Sequence, residues 1–206
     1  MTDAALLHLQ RTDKVLGRLI SQVGPCSLRP KKRSPFEALV QAITYQQLNG
    51  TAASTILRRV KALYPSRRFP TPADLLATPP ERLRAAGLSR AKTAAIHDLA
   101  AKTLAGVVPT PRAITTMADA EIVERLIVVR GVGPWTVEMF LIFTLGRPDV
   151  LPVTDYAVRK GFAQIYRRKE LPTHAELLEY GERWRPHRTT AAWYLWRALE
   201  LPQSAS

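Results

Sequence analysis

The chain has 206 residues, 46% of them hydrophobic, which is enough for one large domain or two small lobes with a buried core. Its single cysteine, Cys26, excludes an internal disulfide and a four-cysteine zinc or iron–sulfur site. The formal net charge of +13 favours a polyanionic partner, and nucleic acid is favoured over a membrane surface. No uncharged apolar stretch is long enough to predict a membrane span.

Apolar residues recur at helical spacing along nearly the whole chain. The first two faces of this kind are Val15, Leu16, Leu19, Ile20 and Val23, and Phe36, Leu39, Val40 and Ile43. Further helices, separated by proline and glycine, are predicted at Gly50–Tyr64, Pro72–Ala77, Pro80–Ala86, Arg90–Ala105, Ala118–Val128, Pro134–Leu145, Asp155–Tyr166, His174–Arg183 and Thr189–Leu201. Strand alternation is nearly absent, so we predict an all-α fold of about ten helices.

The basic run LRPKKR, residues 28–33, precedes the predicted helix that contains Phe36. We expect it to form an exposed loop. It is either a solvated charge cluster or a DNA contact, and the sequence leaves both open.

The stretch IVERLIVVRGVGPWTVEMFLIF predicts a helix, a tight turn and a second helix. Gly131 and Gly133 can adopt positive φ and let another backbone approach. Pro134 suits the first helical position, and Thr136 falls in the first turn. The N–H groups there would form an anion site suited to a phosphate. An ordinary helix–helix corner is the alternative.

Residues 126–161, LIVVRGVGPWTVEMFLIFTLGRPDVLPVTDYAVRKG, resemble the helix–hairpin–helix (HhH-GPD) DNA glycosylase superfamily. FEALVQAITYQQLNGTAASTI and GLSRAKTAAIHDLA resemble its opening and middle helices, and WRPHRTTAAWYLW resembles the closing segment of its 3-methyladenine DNA glycosylase II branch. The resemblance covers most of residues 10–200. It implies two helical lobes flanking a cleft, one of roughly residues 36–145 with the hairpin, the other of roughly 1–35 plus 146–206.

The resemblance implies a monofunctional DNA glycosylase that flips and hydrolytically excises alkylated bases, of the 3-methyladenine and 7-methylguanine type, from double-stranded DNA in base excision repair. It implies a monomer that requires no cofactor and binds no membrane, in the cytoplasm with the bacterial nucleoid or in a eukaryotic nucleus. The hairpin would grip the DNA backbone through Gly131, Val132, Gly133 and Thr136. The backbone carbonyls of Ile127, Val129 and Val132 would hold a structural Na⁺ or K⁺.

Asp155 suits a helix N-cap, and by the resemblance it is also the catalytic residue. A helix N-terminus favours a charged carboxylate, and breaking an N-glycosidic bond builds positive charge on the sugar. Asp155 could stabilise that charge and orient or deprotonate the attacking water. No second acid stands out, since Glu138 reads as a surface or supporting residue. An alkylated, cationic base can leave as a neutral molecule without being protonated.

Trp135 occupies the position where strand-cleaving relatives carry a Schiff-base lysine. Lys92, Lys102 and Lys160 lie elsewhere in the chain, and nothing in the sequence places them at the hairpin. Strand cleavage is therefore not expected.

By register with the family, the base pocket contains Trp135, Trp196, Met139 and Tyr45, with Met139 replacing an aromatic residue of the branch. Gln47, or else Leu48, would fill the gap that a flipped base leaves in the duplex. A capping role is the alternative for Gln47. Trp184 and Trp193 are interpreted as core residues.

Two other functions stay open from the sequence. One is a glycosylase for other damaged or mismatched bases, which Trp135 and the lack of a cysteine cluster disfavour. The other is a non-catalytic DNA-binding module, which Asp155 disfavours because a pure clamp has no use for a carboxylate facing a phosphate.

Overall fold

The computed structural model describes residues 3–201. Within that range the protein is helical, with no strand, and no helix is long and apolar enough to cross a membrane. The helices are α1 Asp3–Thr12, α2 Lys14–Val23, α3 Pro35–Tyr45, α4 Gly50–Ala62, α5 Pro72–Ala77, α6 Pro80–Ala85, α7 Arg90–Leu104, α8 Asp119–Ile127, α9 Pro134–Phe140, α10 Tyr156–Ile165, α11 His174–Gly181 and α12 Arg188–Ala198. The predicted all-α class is confirmed, and α1 was not among the predicted helices.

Two predicted helices end earlier than expected because the chain changes its helical type. The segment predicted as one helix from Pro134 is α-helical to Phe140 and continues as a π-helical turn over Leu141–Leu145. Similarly, α11 ends at Gly181 and a 3₁₀ turn covers Glu182–Trp184. A further 3₁₀ turn lies at Ala113–Thr115.

Short polar residues start most helices by accepting the N–H groups that have no partner inside the helix. Ser34 accepts the N–H of Glu37 ahead of α3, and Asn49 accepts the N–H of Ala52 ahead of α4. Because each such cap is worth about 1 kcal/mol, the sequence positions of these residues determine where the helices begin.

The chain divides into two compact units, Lys31–Phe140 and Met1–Pro30 with Leu141–Ser206. In the first, α7 is central and packs against α3, α5 and α6, while α9 packs on α8 and α3. Its core is aliphatic and includes Leu39, Ile96, Leu99, Ile122 and Val137. This unit contains the hairpin.

In the second unit, α12 packs against α10 and α2. Gly161 of α10 lies so close to α12 that an added Cβ would collide with the carbonyl oxygen of Leu195. Gln164 of α10 donates to the Ala198 carbonyl at 2.9 Å. The two helices are therefore in backbone contact, which fixes the end of α12 relative to α10.

A buried carboxylate joins three parts of the second unit. Asp13 caps α2 by accepting the N–H groups of Val15 and Leu16, and it also accepts the Tyr166 hydroxyl and the indole N–H of Trp184, the latter at 2.9 Å. Trp184 is completely buried, and Trp193 is 8% exposed. Both tryptophans lie in the core, as predicted.

Candidate active site and nucleic-acid interface

Asp155 caps the first turn of α10. Its backbone is extended, with φ −70° and ψ 120°, and its Oδ1 accepts the N–H of Val158 at 2.8 Å. The residue is only 9% exposed. The predicted N-cap is confirmed, and the helix presents its positive end to a largely buried carboxylate.

A second donor reaches the same oxygen from α12. The indole Nε1–H of Trp196 donates to Oδ1 of Asp155 at 3.0 Å. The Trp196 ring in turn stacks on Phe143, with ring centroids 5.5 Å apart and planes 25° from parallel. Asp155, Trp196 and Phe143 thus form one cluster, in which the tryptophan joins the carboxylate to an aromatic surface.

Phe143 was not predicted as a site residue. It lies in the π-helical turn Leu141–Leu145 that continues α9, and it is 38% exposed although large and apolar. Single π-helical turns within helices are frequently found at functional sites. Trp135, Met139 and Phe143 follow each other at intervals of four in the sequence, and this regular spacing could have identified Phe143.

The hairpin turns between the end of α8 at Ile127 and the start of α9 at Pro134. The N–H of Val132 donates to the Val129 carbonyl at 3.0 Å across the turn. Gly131 has φ +76°, whereas Gly133 is not among the residues with positive φ. Of the two glycines that permit positive φ, only Gly131 adopts it. An added Cβ at Gly133 would meet no atom within 4 Å, so space lies beside it.

The first hydrogen bond of α9 runs from the Val137 N–H to the Gly133 carbonyl at 3.2 Å. The backbone before Val137 therefore lies outside the helix's own hydrogen-bond ladder, as at any helix start. Thr136 is 4% exposed, and its hydroxyl lies 3.4 Å from the Gln46 amide nitrogen. Since its side chain is packed inside the protein, the predicted DNA contact of Thr136 rests on its backbone N–H.

The end of α3 supports the turn. Gln46 Nε2 donates to the Gly131 carbonyl at 2.9 Å. Lys92 of α7 donates to the carbonyls of Thr44 and Gln46 at 2.8 and 2.6 Å, and burial lowers the pKa of its ammonium. For the hydrogen bond from Gln46 to Gly131, the only signal in the sequence was a polar residue at the end of a helix, in YQQ.

A carboxylate and an ammonium of α7 hold the hairpin from the other side. Asp98 Oδ2 accepts the Arg130 N–H at 2.7 Å, and Lys102 Nζ donates to the Val128 carbonyl, also at 2.7 Å. The two side chains form an ion pair at 2.7 Å. Nothing in the sequence placed Lys102 at the hairpin, and the fold brings it there. Its i,i+4 spacing from Asp98 in the sequence indicated a pair, although not its target.

The remaining predicted residues are placed as follows. Trp135 is 42% exposed, and Met139 and Tyr45 are half-buried. Gln47 is exposed and has φ +56°, and Leu48 is 40% exposed. The turn proposed to enter the duplex therefore presents two side chains to solvent, one of them on a left-handed backbone that non-glycine residues rarely adopt.

Two features define the class of protein. One is a helix–hairpin–helix closed by a left-handed glycine, and the other is a buried aspartate at a helix start held by a tryptophan. The family model for HhH-GPD superfamily base excision DNA repair proteins matches residues 40–186. The chain belongs to this superfamily, which confirms the resemblance found in the sequence.

Known relatives extend the match over nearly the whole chain. The DNA-3-methyladenine glycosylase 1 of Schizosaccharomyces pombe is 37% identical over 96% of this chain and 87% of its own length. A second protein of that yeast, alkylbase DNA glycosidase-like protein mag2, is 34% identical over 94% of this chain and 92% of its own. The solved structure of S. pombe 3-methyladenine DNA glycosylase Mag1 in complex with abasic DNA superimposes with a TM-score of 0.87, at 36% identity over 98% of this chain and all of that one.

Proposed function

We propose that this protein is a monofunctional DNA glycosylase that hydrolytically excises alkylated bases from double-stranded DNA in base excision repair. The observation that carries the proposal is the carboxylate of Asp155, held by the start of α10 and by Trp196. It occurs in a superfamily of base excision repair proteins, in a chain similar over most of its length to proteins named 3-methyladenine glycosylases. Capping of α10 alone would not require the second donor, the Trp196 indole N–H, that also holds this carboxylate.

The reaction breaks the bond between C1′ of the deoxyribose and the base nitrogen, and the bonding electrons leave with the base. Positive charge then develops on the sugar, and a fixed carboxylate stabilises it electrostatically. Asp155 also orients the attacking water and accepts its proton. Two N–H donors on one oxygen hold the carboxylate in place before the charge develops, so little reorganisation is needed.

The same site explains why alkylated bases are the proposed substrates. N-alkylation leaves a purine cationic, so the base departs neutral and needs no second acid. The stacked rings of Phe143 and Trp196 beside Asp155 offer an electron-rich surface to a cationic base. A good cation–π contact of this kind is worth about 1–2 kcal/mol. By register with the family, Trp135, Met139 and Tyr45 are also proposed as residues that contact the base.

Binding to DNA is assigned to the hairpin and to the turn after α3. The backbone of Gly131, Val132, Gly133 and Thr136 would receive a phosphate, and the space beside Gly133 permits a close approach. Gln47, or else Leu48, would occupy the gap left by the flipped base. We propose that the protein acts as a monomer, because one copy contains both elements.

A monovalent cation is part of the proposal, held by the carbonyls of Ile127, Val129 and Val132. Carbonyl oxygens suit such an ion. The Val129 carbonyl already accepts the Val132 N–H, which leaves one of its two lone pairs for the ion. Bound there, the cation would supply positive charge facing a phosphate.

Strand cleavage is not part of the proposed activity. Trp135 stands where a lysine would form the Schiff base. The amines of Lys92 and Lys102, which lie near the hairpin in the fold, donate hydrogen bonds to backbone carbonyls. An ammonium engaged in this way is a poor nucleophile, because attack on C1′ needs a neutral amine.

The test is a panel of duplexes, each with a single 3-methyladenine, 7-methylguanine, 8-oxoguanine or uracil, scored after alkali and in parallel without it. The wild type should release the alkylated bases, with strand breaks only after alkali. Asp155→Asn should bind an abasic-analogue duplex normally and lose at least about 10²-fold in excision rate. Activity confined to 8-oxoguanine or uracil, near-wild-type release by Asp155→Asn, or a borohydride-trapped covalent adduct would contradict the corresponding part of the proposal.

A further inference from the structure

A groove of about 1300 Å³ lies in the unit that contains Asp155, between α2 and α10. Its lining is strongly basic, and Glu170 is the one carboxylate among the lining residues. The basic side chains are Arg18, Lys160, Arg167, Arg168 and Lys169. A concave surface lined by one sign of charge concentrates ligands of the opposite sign.

Most of this charge is not neutralised inside the protein. Arg168 pairs with Glu176 at 2.8 Å. Arg18, Lys160, Arg167 and Lys169 are exposed and form no ion pair within residues 3–201. Four cations lining one groove repel each other unless an anion lies between them, so the groove is suited to a ligand with several negative charges.

Arg167 gives an independent indication that this charge is functional. It follows the end of α10 with φ +53°, and the next N–H, of Arg168, closes the helix end on the Ala163 carbonyl at 2.9 Å. This position in such a helix end favours glycine, because a side chain is strained there. The chain carries an arginine where glycine would cost less, and strain of this kind is often retained at sites of function.

The position of the groove indicates which polyanion it holds. One end is lined by Tyr156, the residue after Asp155, which is 63% exposed. Lys160 lies one turn further, and Arg167–Lys169 follow the end of the helix. Ten residues of α-helix span about 15 Å, and a DNA strand carries a phosphate about every 3.4 Å along the duplex axis.

We propose that this groove binds the backbone of the DNA strand flanking the target nucleotide, over a few phosphates on one side. The inference rests on the proposed function and adds a second contact to that of the hairpin. An acidic peptide would also suit the charge, but the continuity with Asp155 favours the strand that Asp155 would act on. The contacts are to phosphates and therefore independent of sequence.

The test compares the double variant Lys160→Ala/Arg167→Gly with Arg82→Ala/Arg84→Ala, which removes the same charge from exposed positions of α6. Affinity for a fluorescent duplex with a central abasic analogue is measured by anisotropy at several salt concentrations. Each lost phosphate contact reduces the slope of log K against log salt by about 0.9. The groove variant removes two cations, so its slope should be smaller than that of the wild type by about 1.8. From 50 to 200 mM salt, the wild type should lose roughly tenfold more affinity than the groove variant. The control variant should keep the wild-type slope.

A second arm shortens the duplex on one side of the lesion at a time. Removing one flank should weaken the wild type and leave the groove variant unaffected, while the other flank affects both alike. The melting temperature of Arg167→Gly should stay equal or rise, which separates the loss of binding from a loss of folding. Equal salt slopes for wild type and groove variant, or equal losses in the two double variants, would overturn the inference. Release of alkylated base by the wild type is measured in the same experiment. A wild type that binds the duplex but releases no base would contradict the proposed function and not the groove.

Discussion

The indole N–H of Trp196 donates to the same oxygen of Asp155 that accepts the N–H of Val158, at 3.0 and 2.8 Å. One donor comes from the helix that Asp155 caps, and the other comes from α12. The carboxylate is therefore oriented from two directions. Because Gly161 lets α10 and α12 approach closely, the packing of the two helices determines the geometry of the site.

Trp196→Phe separates the two contributions of this side chain. Phenylalanine keeps a ring that can stack on Phe143 but removes the donor to Asp155. A hydrogen bond to a charged group is worth about 1.5–3 kcal/mol, so the single-turnover rate of base excision should fall about 10- to 100-fold. Affinity for an abasic-analogue duplex should change less than about threefold, because the phosphate contacts are intact.

Trp193→Phe is the matched control. Trp193 lies three residues earlier on α12, is 8% exposed, and makes an edge contact with Tyr194. The same chemical change there should leave the excision rate of the folded variant close to that of the wild type. Equal losses in both variants would mean that α12 packing, and not the hydrogen bond, controls the rate.

Asp98→Asn tests the support of the hairpin. Asp98 accepts the Arg130 N–H and pairs with Lys102, which itself holds the Val128 carbonyl. The amide keeps the shape but loses the charge, and we expect a loss of about 1 kcal/mol in the free energy of unfolding at pH 7. Urea unfolding measures it. Glu124→Gln, on an exposed position of α8, should change the value by less than about 0.5 kcal/mol.

The stability difference between the wild type and Asp98→Asn should depend on pH, and the pKa of Asp98 gives the direction. Burial raises the pKa of Asp98, but hydrogen bonds from the Arg130 N–H and Lys102 outweigh it and hold the pKa below its usual value. The unfolded chain therefore takes up the proton first as the pH falls. The advantage of the wild type over Asp98→Asn is complete above about pH 4 and should shrink as the pH falls through the folded-state pKa. An advantage that grows towards acid pH would contradict this assignment.

Local features of the fold could be predicted because they depend on neighbours in the sequence. Pro134 marks the start of α9, and the Thr-Asp pair before Tyr156 marks the start of α10 with Asp155 as its cap. Apolar spacing, capping residues and proline act within one helical turn. Gly131 was similarly recognisable as a turn glycine, whereas Gly133 permits a positive φ that it does not adopt.

The contacts that build the site could not be predicted in this way, because they join residues far apart in the chain. Trp196 lies 41 residues after Asp155, and Gln46 lies 85 residues before Gly131. The register with the family predicted Trp196 in the base pocket, but it did not predict the hydrogen bond from Trp196 to Asp155. The π-helical turn that carries Phe143 has no sequence signal of its own, since its residues LIFTL also suit an α-helix. These features depend on tertiary packing.

Gly131→Ala and Gly133→Ala should separate folding from DNA binding. At Gly131, alanine would meet a left-handed φ and the Ala95 Cβ at 3.3 Å, so we expect a loss of about 1–2 kcal/mol in the free energy of unfolding. At Gly133, alanine has space and an ordinary φ, and stability should stay within about 1 kcal/mol or rise. The added methyl group would instead obstruct the proposed phosphate, so affinity for duplex DNA should fall. If Gly133→Ala binds duplex DNA with unchanged affinity, the phosphate does not bind beside this glycine.

Gln47→Gly tests whether Gln47 fills the gap that a flipped base leaves in the duplex. Gln47 is exposed with φ +56°, so glycine relieves strain there and the free energy of unfolding should change by less than about 1 kcal/mol. Unstacking a paired base costs a few kcal/mol, and without the filler we expect at least a tenfold (~1.4 kcal/mol) loss in excision from a fully paired duplex. The loss should be smaller when the position opposite the lesion is abasic, because flipping is then less costly. Leu48→Ala is the comparison, since Leu48 is also exposed on this turn. If Leu48→Ala slows excision from the paired duplex and Gln47→Gly does not, the filler is Leu48.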